Sequence, residues 1–320
     1  MLHPQARALL DLIEKTGAPP THTLTPAEAR KLYRDRRSYT QPLPPEVASV
    51  RAAAAPGPHG AIPLRIYRPA CSMGSAGGAA DAVLPVLVFY HGGGWTIGDL
   101  DTHDTLCREL CNGSGACVVA VDYRMGPEHR FPAAVDDCVA ATYWVQREAA
   151  ALQIDAARIA VGGDSAGGNL AAVVALAARD AGDLPLVYQL LIYPATDMRR
   201  DAPSHLVNGQ GYLLTSDSMA YFHDHYLGGV TQDTDWRASP LLAPSLAKLP
   251  PALVLTAGFD PQRDEGKAYA VRLTEEGNRA MYVCFERQIH GFITLGRVFD
   301  EANTAVTLCA AELKRALRAG

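Results

Sequence analysis

Residues 158–180, RIAVGGDSAGGNLAAVVALAARD, decide how this chain folds. The run RIAVGG is short and apolar, as in a strand buried on both faces, and from Asn169 onward alanine, leucine and valine recur with the spacing of a helix. Between the two lies Gly163-Asp164-Ser165-Ala166-Gly167, a G-x-S-x-G pattern. Small residues there let a strand turn sharply into a helix and lift the serine oxygen above the sheet. The plainer reading of Ser165 is a helix-capping serine in a glycine-rich turn, since serine is also favoured at helix starts.

Outward from that stretch, the same alternation repeats. PVLVFY (85–90), CVVAVDY (117–123), LVYQLLIY (186–193), ALVLTAGFD (252–260) and AMYVCFE (280–286) read as strands. Helical patterns cover 132–150 and 264–277, and a closing helix covers 302–319. Short apolar runs separated by helices imply an α/β architecture: a mostly parallel central sheet flanked by helices on both sides. Residues 198–240 break the rhythm with irregular polar and aromatic residues, as an insertion above the sheet would. At the other end, Leu9, Leu10, Leu12 and Ile13 are placed on one helical face. A second helix opens at TPAEARKLYRDRR, with Thr25 as cap and Pro26 in the first turn. The segment 46–70 reads as strands broken by a Pro/Gly turn, and CSMGSAGGAAD (71–81) as a flexible loop.

Composition narrows the function classes. A chain of 320 residues that is 48% hydrophobic and 20% charged can bury one large core. A net charge of -5 without a basic run argues against nucleic acid or an anionic membrane as partner. No apolar stretch has the length of a membrane span, and the first residues, MLHPQARALLDLIEKTG, carry charges where a signal peptide would carry an apolar core, so a cytoplasmic protein is expected. The seven cysteines, Cys71, Cys107, Cys111, Cys117, Cys138, Cys284 and Cys309, include no C-x-x-C pair and are expected as buried thiols.

A serine hydroxyl is a weak nucleophile near neutral pH and needs a histidine base held by a further group. On this kind of bend the partners follow the serine in the order acid, then histidine. Beyond Ser165 lie His205, His223, His225 and His290. His223 and His225 fall in the irregular insertion, which suits a surface or lid role; His290, in ERQIHGF just past the last strand, is the candidate base. Asp260, at the carboxyl edge of ALVLTAGFD, is the candidate orienting acid, with Asp264 and Glu265 as rivals that also read as first-turn helix acids. His91-Gly92-Gly93-Gly94 follows a strand directly, where side-chain-free backbone can turn its N–H groups into a site. The amides of Gly93, Gly94 and Ala166 then form a three-donor oxyanion pocket, and no phosphate-loop pattern competes for those glycines.

Five stretches taken together, HGGGW, DYRMGPEHRFPAAVDD, GGDSAGGNLA, DPQRDEG and IHGF, spread from about residue 84 to 293, resemble the hormone-sensitive-lipase-like group of α/β-hydrolases, the bacterial family IV esterases. MGPEH departs from the group's usual LAPEH but keeps Pro127, Glu128 and His129, which look structural. The resemblance implies an α/β-hydrolase fold with a helical cap and a Ser165–His290–Asp260 triad. It further implies an oxyanion hole of Gly93, Gly94 and Ala166, no cofactor, and pairing into a homodimer as in many of the group. It divides the chain into N-terminal cap helices (1–45), core (46–197), cap insertion (198–240) and core (241–320). The expected reaction is hydrolysis of short- to medium-chain acyl esters, a small-molecule substrate class, through an acyl-enzyme. An amidase or deacetylase on the same triad, a non-catalytic small-molecule binder and a lipase acting on aggregated fat are the competing readings. Tyr212, Leu213 and Leu214 are expected to set pocket depth.

Overall fold

The computed structural model describes residues 1–70 and 82–318; the expected loop at 71–81 lies outside them. In chain order the elements are α1 (Pro4–Thr16), α2 (Pro26–Thr40), β1 (Ser49–Gly57), β2 (Gly60–Arg68), β3 (Leu84–Tyr90), α3 (Asp104–Ser114), β4 (Cys117–Val121), α4 (Ala133–Arg147) and α5 (Ala149–Leu152). They continue with β5 (Ile154–Asp164), α6 (Ala166–Ala181), β6 (Leu186–Ile192), α7 (Pro203–Val207), α8 (Ser216–Tyr226), β7 (Ala252–Phe259), α9 (Arg263–Glu275), β8 (Ala280–Ile289) and α10 (Asp300–Arg318).

The eight strands form one sheet in the order β1-β2-β4-β3-β5-β6-β7-β8. Only the β1/β2 and β2/β4 pairs are antiparallel, and the other five pairs are parallel. Alternate residues of β3 serve opposite layers: Val86, Val88 and Tyr90 pack with α4, α6 and α9, while Leu87 and Phe89 pack with α3 and α10. Covering both faces is what turns the strand sequences into continuous apolar runs.

After β3 the chain steps outward to β4 and then crosses back to place β5 on the other side of β3. That reversal leaves a crevice at the carboxyl ends of β3 and β5, the place where open α/β sheets bind ligands. The glycine loop and Ser165 emerge there, and Asp260 and His290 follow directly on β7 and β8 along the same rim.

Four expectations need correction. The helix after Ser165 begins at Ala166, three residues ahead of the expected Asn169. Its first-turn glycines have poor helix propensity but are required by space, because a Cβ on Gly167 would collide with the carbonyl of Tyr90. The 198–240 insertion is not irregular throughout: it carries α7 and the eleven-residue α8, capped by Thr215 accepting from the Ser218 amide. In α1, Leu12 faces solvent, and the inward positions are Ala6, fully buried, with Leu9 and Leu10 against the α3/α10 layer. Finally, α3 had no counterpart in the sequence reading. The Thr25 cap of α2 is present as a full capping box with Glu28. Among the described cysteines all are buried except Cys284, which is partly buried, and no described helix is long and apolar enough to cross a membrane.

Candidate active site

Ser165 sits between β5 and α6 with φ 56° and ψ -116°, a conformation that side chains rarely adopt. Backbone bonds hold the bend: the Ser165 amide donates to Ile192 O (2.8 Å), and its carbonyl accepts from the amides of Asn169 (3.0 Å) and Ala195 (3.4 Å). A Cβ on Gly163 would strike the Tyr90 carbonyl, so the glycines of the motif are there for close approach of β3, β5 and α6.

The imidazole of His290 lies beside Ser165, with 2.9 Å from Nε2 to the serine Oγ. Its Nδ1 is 2.7 Å from Asp260 Oδ2. An ionised carboxylate only accepts, so Nδ1 carries the proton and Nε2 is free to accept from the hydroxyl. Asp260 is fully buried; its other oxygen accepts from the Gln262 amide (2.8 Å). The Tyr193 ring packs on the imidazole at 4.6 Å between centroids. The insertion fixes the Asp260 loop from outside, since Asn208 donates to the carbonyls of Gly258 and Asp260 and Ser204 to that of Pro261.

The structure thus brings Ser165, His290 and Asp260 into one hydrogen-bonded chain and sends the rivals elsewhere. Asp264 pairs with Arg263 (2.7 Å). Glu265 is buried in contact with His205 (2.6 Å) and takes the Thr196 amide (2.7 Å). Burial raises its pKa, and the bonds from His205 and those amides only partly counter the rise. His223 pairs with Asp233 (2.7 Å), and His225 bonds the carbonyl of Tyr221.

The glycine loop lies across from Ser165. Gly93 and Gly94 have φ 121° and 57°; a Cβ on Gly93 would meet Ile97 O, and one on Gly94 would enter the Phe222 ring of α8. Among the described residues, the amides of Gly93, Gly94 and Ala166 donate to no protein acceptor, whereas the Gly92 amide is engaged by Asp164 Oδ1 at 2.9 Å. Asp164 also contacts His103 Nε2 at 3.1 Å. Burial works against its charge, but the His103 imidazole and the Gly92 amide outweigh it, and the carboxyl titrates below its usual range. His91, stacked on Tyr123 at 4.4 Å, is pushed down to about 4 by burial and by neighbouring His103, so it is neutral and props the loop. Sequence reasoning did not identify Asp164 and His103 as a prop. The spacing Asp164–Ser165 hints at it, but His103 lies on an unrelated loop.

The cavity over Ser165 encloses about 1030 Å³ counting its mouth. Apolar side chains dominate part of its wall, among them Ile97, Met198, Leu213, Leu214, Met219 and Phe222. Leu213 and Leu214 line it as expected; Tyr212 instead packs on Phe259, 5.2 Å between ring centroids. Trp95 of the glycine loop stacks on Tyr226 of α8 at 4.3 Å, tying the loop to the insertion above it.

This fold and this arrangement at the rim of a parallel sheet define an α/β-hydrolase. Residues 87–294 match the family model described as alpha/beta hydrolase fold. The chain is 49% identical over 250 residues to carboxylic ester hydrolase LipN of Mycobacterium tuberculosis, a match covering 75% of this chain and spanning 63% of that relative's length. It is 36% identical to an ethyl acetate hydrolase of Pseudomonas putida, covering 99% of both. The solved structure of an alpha/beta hydrolase enzyme from the metagenome of Lake Arreo, Spain, superposes with a TM-score of 0.93 at 45% identity, covering 98% of each chain. The chain belongs to the alpha/beta hydrolase family, in its hormone-sensitive-lipase-like (family IV) branch.

Proposed function

We infer that this carboxylic ester hydrolase is a serine carboxylesterase that cleaves short- to medium-chain acyl esters through an acyl-enzyme. The observation that carries the reading is the unbroken chain Ser165 Oγ, His290, Asp260 beneath a partly apolar cavity. Ser165 attacks the ester carbonyl as its proton passes to His290 Nε2. Asp260 holds the tautomer and stabilises the imidazolium without taking the proton. The carbonyl oxygen gains its negative charge facing the Gly93, Gly94 and Ala166 amides, each worth about 3 kcal/mol to the transition state. The imidazolium protonates the departing alcohol, and a water then releases the acid by the same steps.

The name ethyl acetate hydrolase on a relative matched over nearly its whole length supports the short-chain end of the range. A series of p-nitrophenyl esters from acetate to palmitate tests the reading. Turnover is expected to peak at short to medium chains and to vanish in Ser165→Ala, which retains the fold. An optimum at palmitate, or turnover by Ser165→Ala above background, would defeat it. An organophosphate should label Ser165 in the wild type alone.

A further inference from the structure

Of the arginines on α2, three are committed to the core below. Arg30 grips Glu128 at 2.7 and 2.8 Å and the carbonyls of Thr96 and Gly126. Arg34 pairs with Asp99 (2.7 Å), and Arg37 bonds the carbonyl of Asp101. Arg36 is different. Its guanidinium lies 4.4 Å over the Tyr33 ring, both residues line the cavity above Ser165, and no carboxylate pairs with it among the described residues. Arg36 is partly buried; burial lowers its pKa, and its contact with Tyr33 is what opposes the shift.

Arg200 reaches the same cavity from the segment that carries α7 and α8. It holds a left-handed φ of 58°, and its side chain has no hydrogen-bond or ion-pair partner among the described residues. The carboxylates facing the cavity are already taken: Asp164 by His103 and Gly92, Asp197 by Arg199, and Glu265 by His205.

We propose that the cavity selects esters bearing an ionised carboxylate, which Arg36 receives, with Arg200 as a second cation, while Ser165 attacks the ester carbonyl. The proposal rests on the ester-hydrolase reading of the same site. A guanidinium pairs with a carboxylate through two parallel N–H···O bonds, and a partly desolvated one gains most from doing so. A neutral ester leaves both arginines unpaired. The chemistry is unchanged: the Ser165 Oγ–C bond forms as the C–O bond to the alcohol breaks, the alcohol leaves with the proton from His290, and water then regenerates the serine. A monoester of a dicarboxylic acid yields the dicarboxylate and the alcohol. The acetate ester of a hydroxy acid yields acetate and the hydroxy acid.

Three esters test the idea and locate the charge: monoethyl succinate, with the carboxylate on the acyl side; acetoxyacetate, with it on the alcohol side; and neutral ethyl butyrate. For the wild type, kcat/KM on one of the two charged esters is expected to exceed that on ethyl butyrate by about tenfold, the worth of a charge-assisted hydrogen bond. In Arg36→Gln that ratio should fall about tenfold through KM, and Arg36→Lys should restore part of it. A smaller fall is expected in Arg200→Gln, which also serves if an Arg36 variant fails to fold. Equal kcat/KM for charged and neutral esters, or ratios unmoved by both glutamine variants, overturns the proposal. If none of the three esters is turned over, the ester-hydrolase reading has failed. Calorimetric binding of succinate and of acetoxyacetate to Ser165→Ala still decides the anion site: saturable binding weakened by Arg36→Gln supports it, and no binding of either refutes it.

Discussion

At Ser165 the backbone is held in a conformation that only its surroundings can maintain. A φ of 56° with ψ -116° is unfavourable for any side chain and persists only because Gly163 and Gly167 let β3, β5 and α6 crowd together beneath it. The candidate triad residues were legible in the sequence because each follows a strand directly, and strands are the easiest elements to read. Asp260 was separated from Asp264 and Glu265 only by its place before the helix, and the structure gives the reason: the later two have other partners, Arg263 and His205. Asp260→Asn keeps the shape but presents an amide that can turn its N–H₂ toward Nδ1 and favour the wrong tautomer. A loss of about 10⁴-fold in kcat with unchanged melting temperature is expected on p-nitrophenyl butyrate. Asp164 was not legible, since its meaning depends on Gly92 and His103 arriving from β3 and the loop beyond it. Asp164→Ala removes the acceptor that fixes the Gly92 amide, so the neighbouring oxyanion donors should drift. The expected signature is a fall in kcat of about 10²-fold with little change in KM, the pattern of a contact made mainly in the transition state. An equal rise in KM would instead point to a disturbed pocket.

Among the elements, those the sequence announced are the ones whose burial is uniform. β3, β4, β6 and β7 are apolar runs covered on both faces, so composition alone marks them. α3 escaped because its inward face mixes Leu106 and Leu110 with Thr105, Cys107, Cys111 and Ser114, a weak apolar stripe, and because His103 at its N-cap makes no side-chain cap bond. α8 escaped because SDSMAYFHDHY carries its meaning in two contacts, Phe222 over Gly94 and Tyr226 on Trp95, which no periodicity reveals. α2 was legible by its cap, but its arginines were not legible as a strap. Arg30 spans from α2 to Glu128 and to the carbonyls of Thr96 and Gly126, and in return the guanidinium holds the Glu128 carboxyl down to about 2. Arg30→Ala should loosen α2 over the cavity, raising KM for p-nitrophenyl butyrate about threefold to tenfold while kcat holds, as expected for a half-exposed ion pair with two buried carbonyls attached. A kcat loss without a KM change would show that Arg30 acts on the oxyanion loop and not on the cover.

For the whole molecule, buried and partly buried carboxyls set how stability follows pH, and they act in opposite directions. Asp164 is held below its usual range, so its contribution is present above about pH 4 and lost as pH falls through the folded value. Asp122 is pushed up to about 6, first by burial and then by neighbouring Asp99, and Glu109 is pushed up to about 7 by burial. For these two the folded state holds a proton that the unfolded chain has already released, so stability declines as pH rises from about 4 toward 7 and then levels off. The molecule is therefore expected to be most stable in mild acid, below the pH at which a neutral imidazole base works best. Asp122→Asn isolates the effect, because an amide keeps the shape and removes the charge. Its side chain is 33% exposed, so the full linkage energy must be discounted for solvent screening. The remainder is a gain of about 1 kcal/mol at pH 8, or about 2 °C in Tm for a chain of this length. At pH 4, where the carboxyl is protonated in the folded state, the variant and the wild type should melt together. A gain of the same size at both pH values would mean that the asparagine helps by packing and that the Asp122 charge costs nothing.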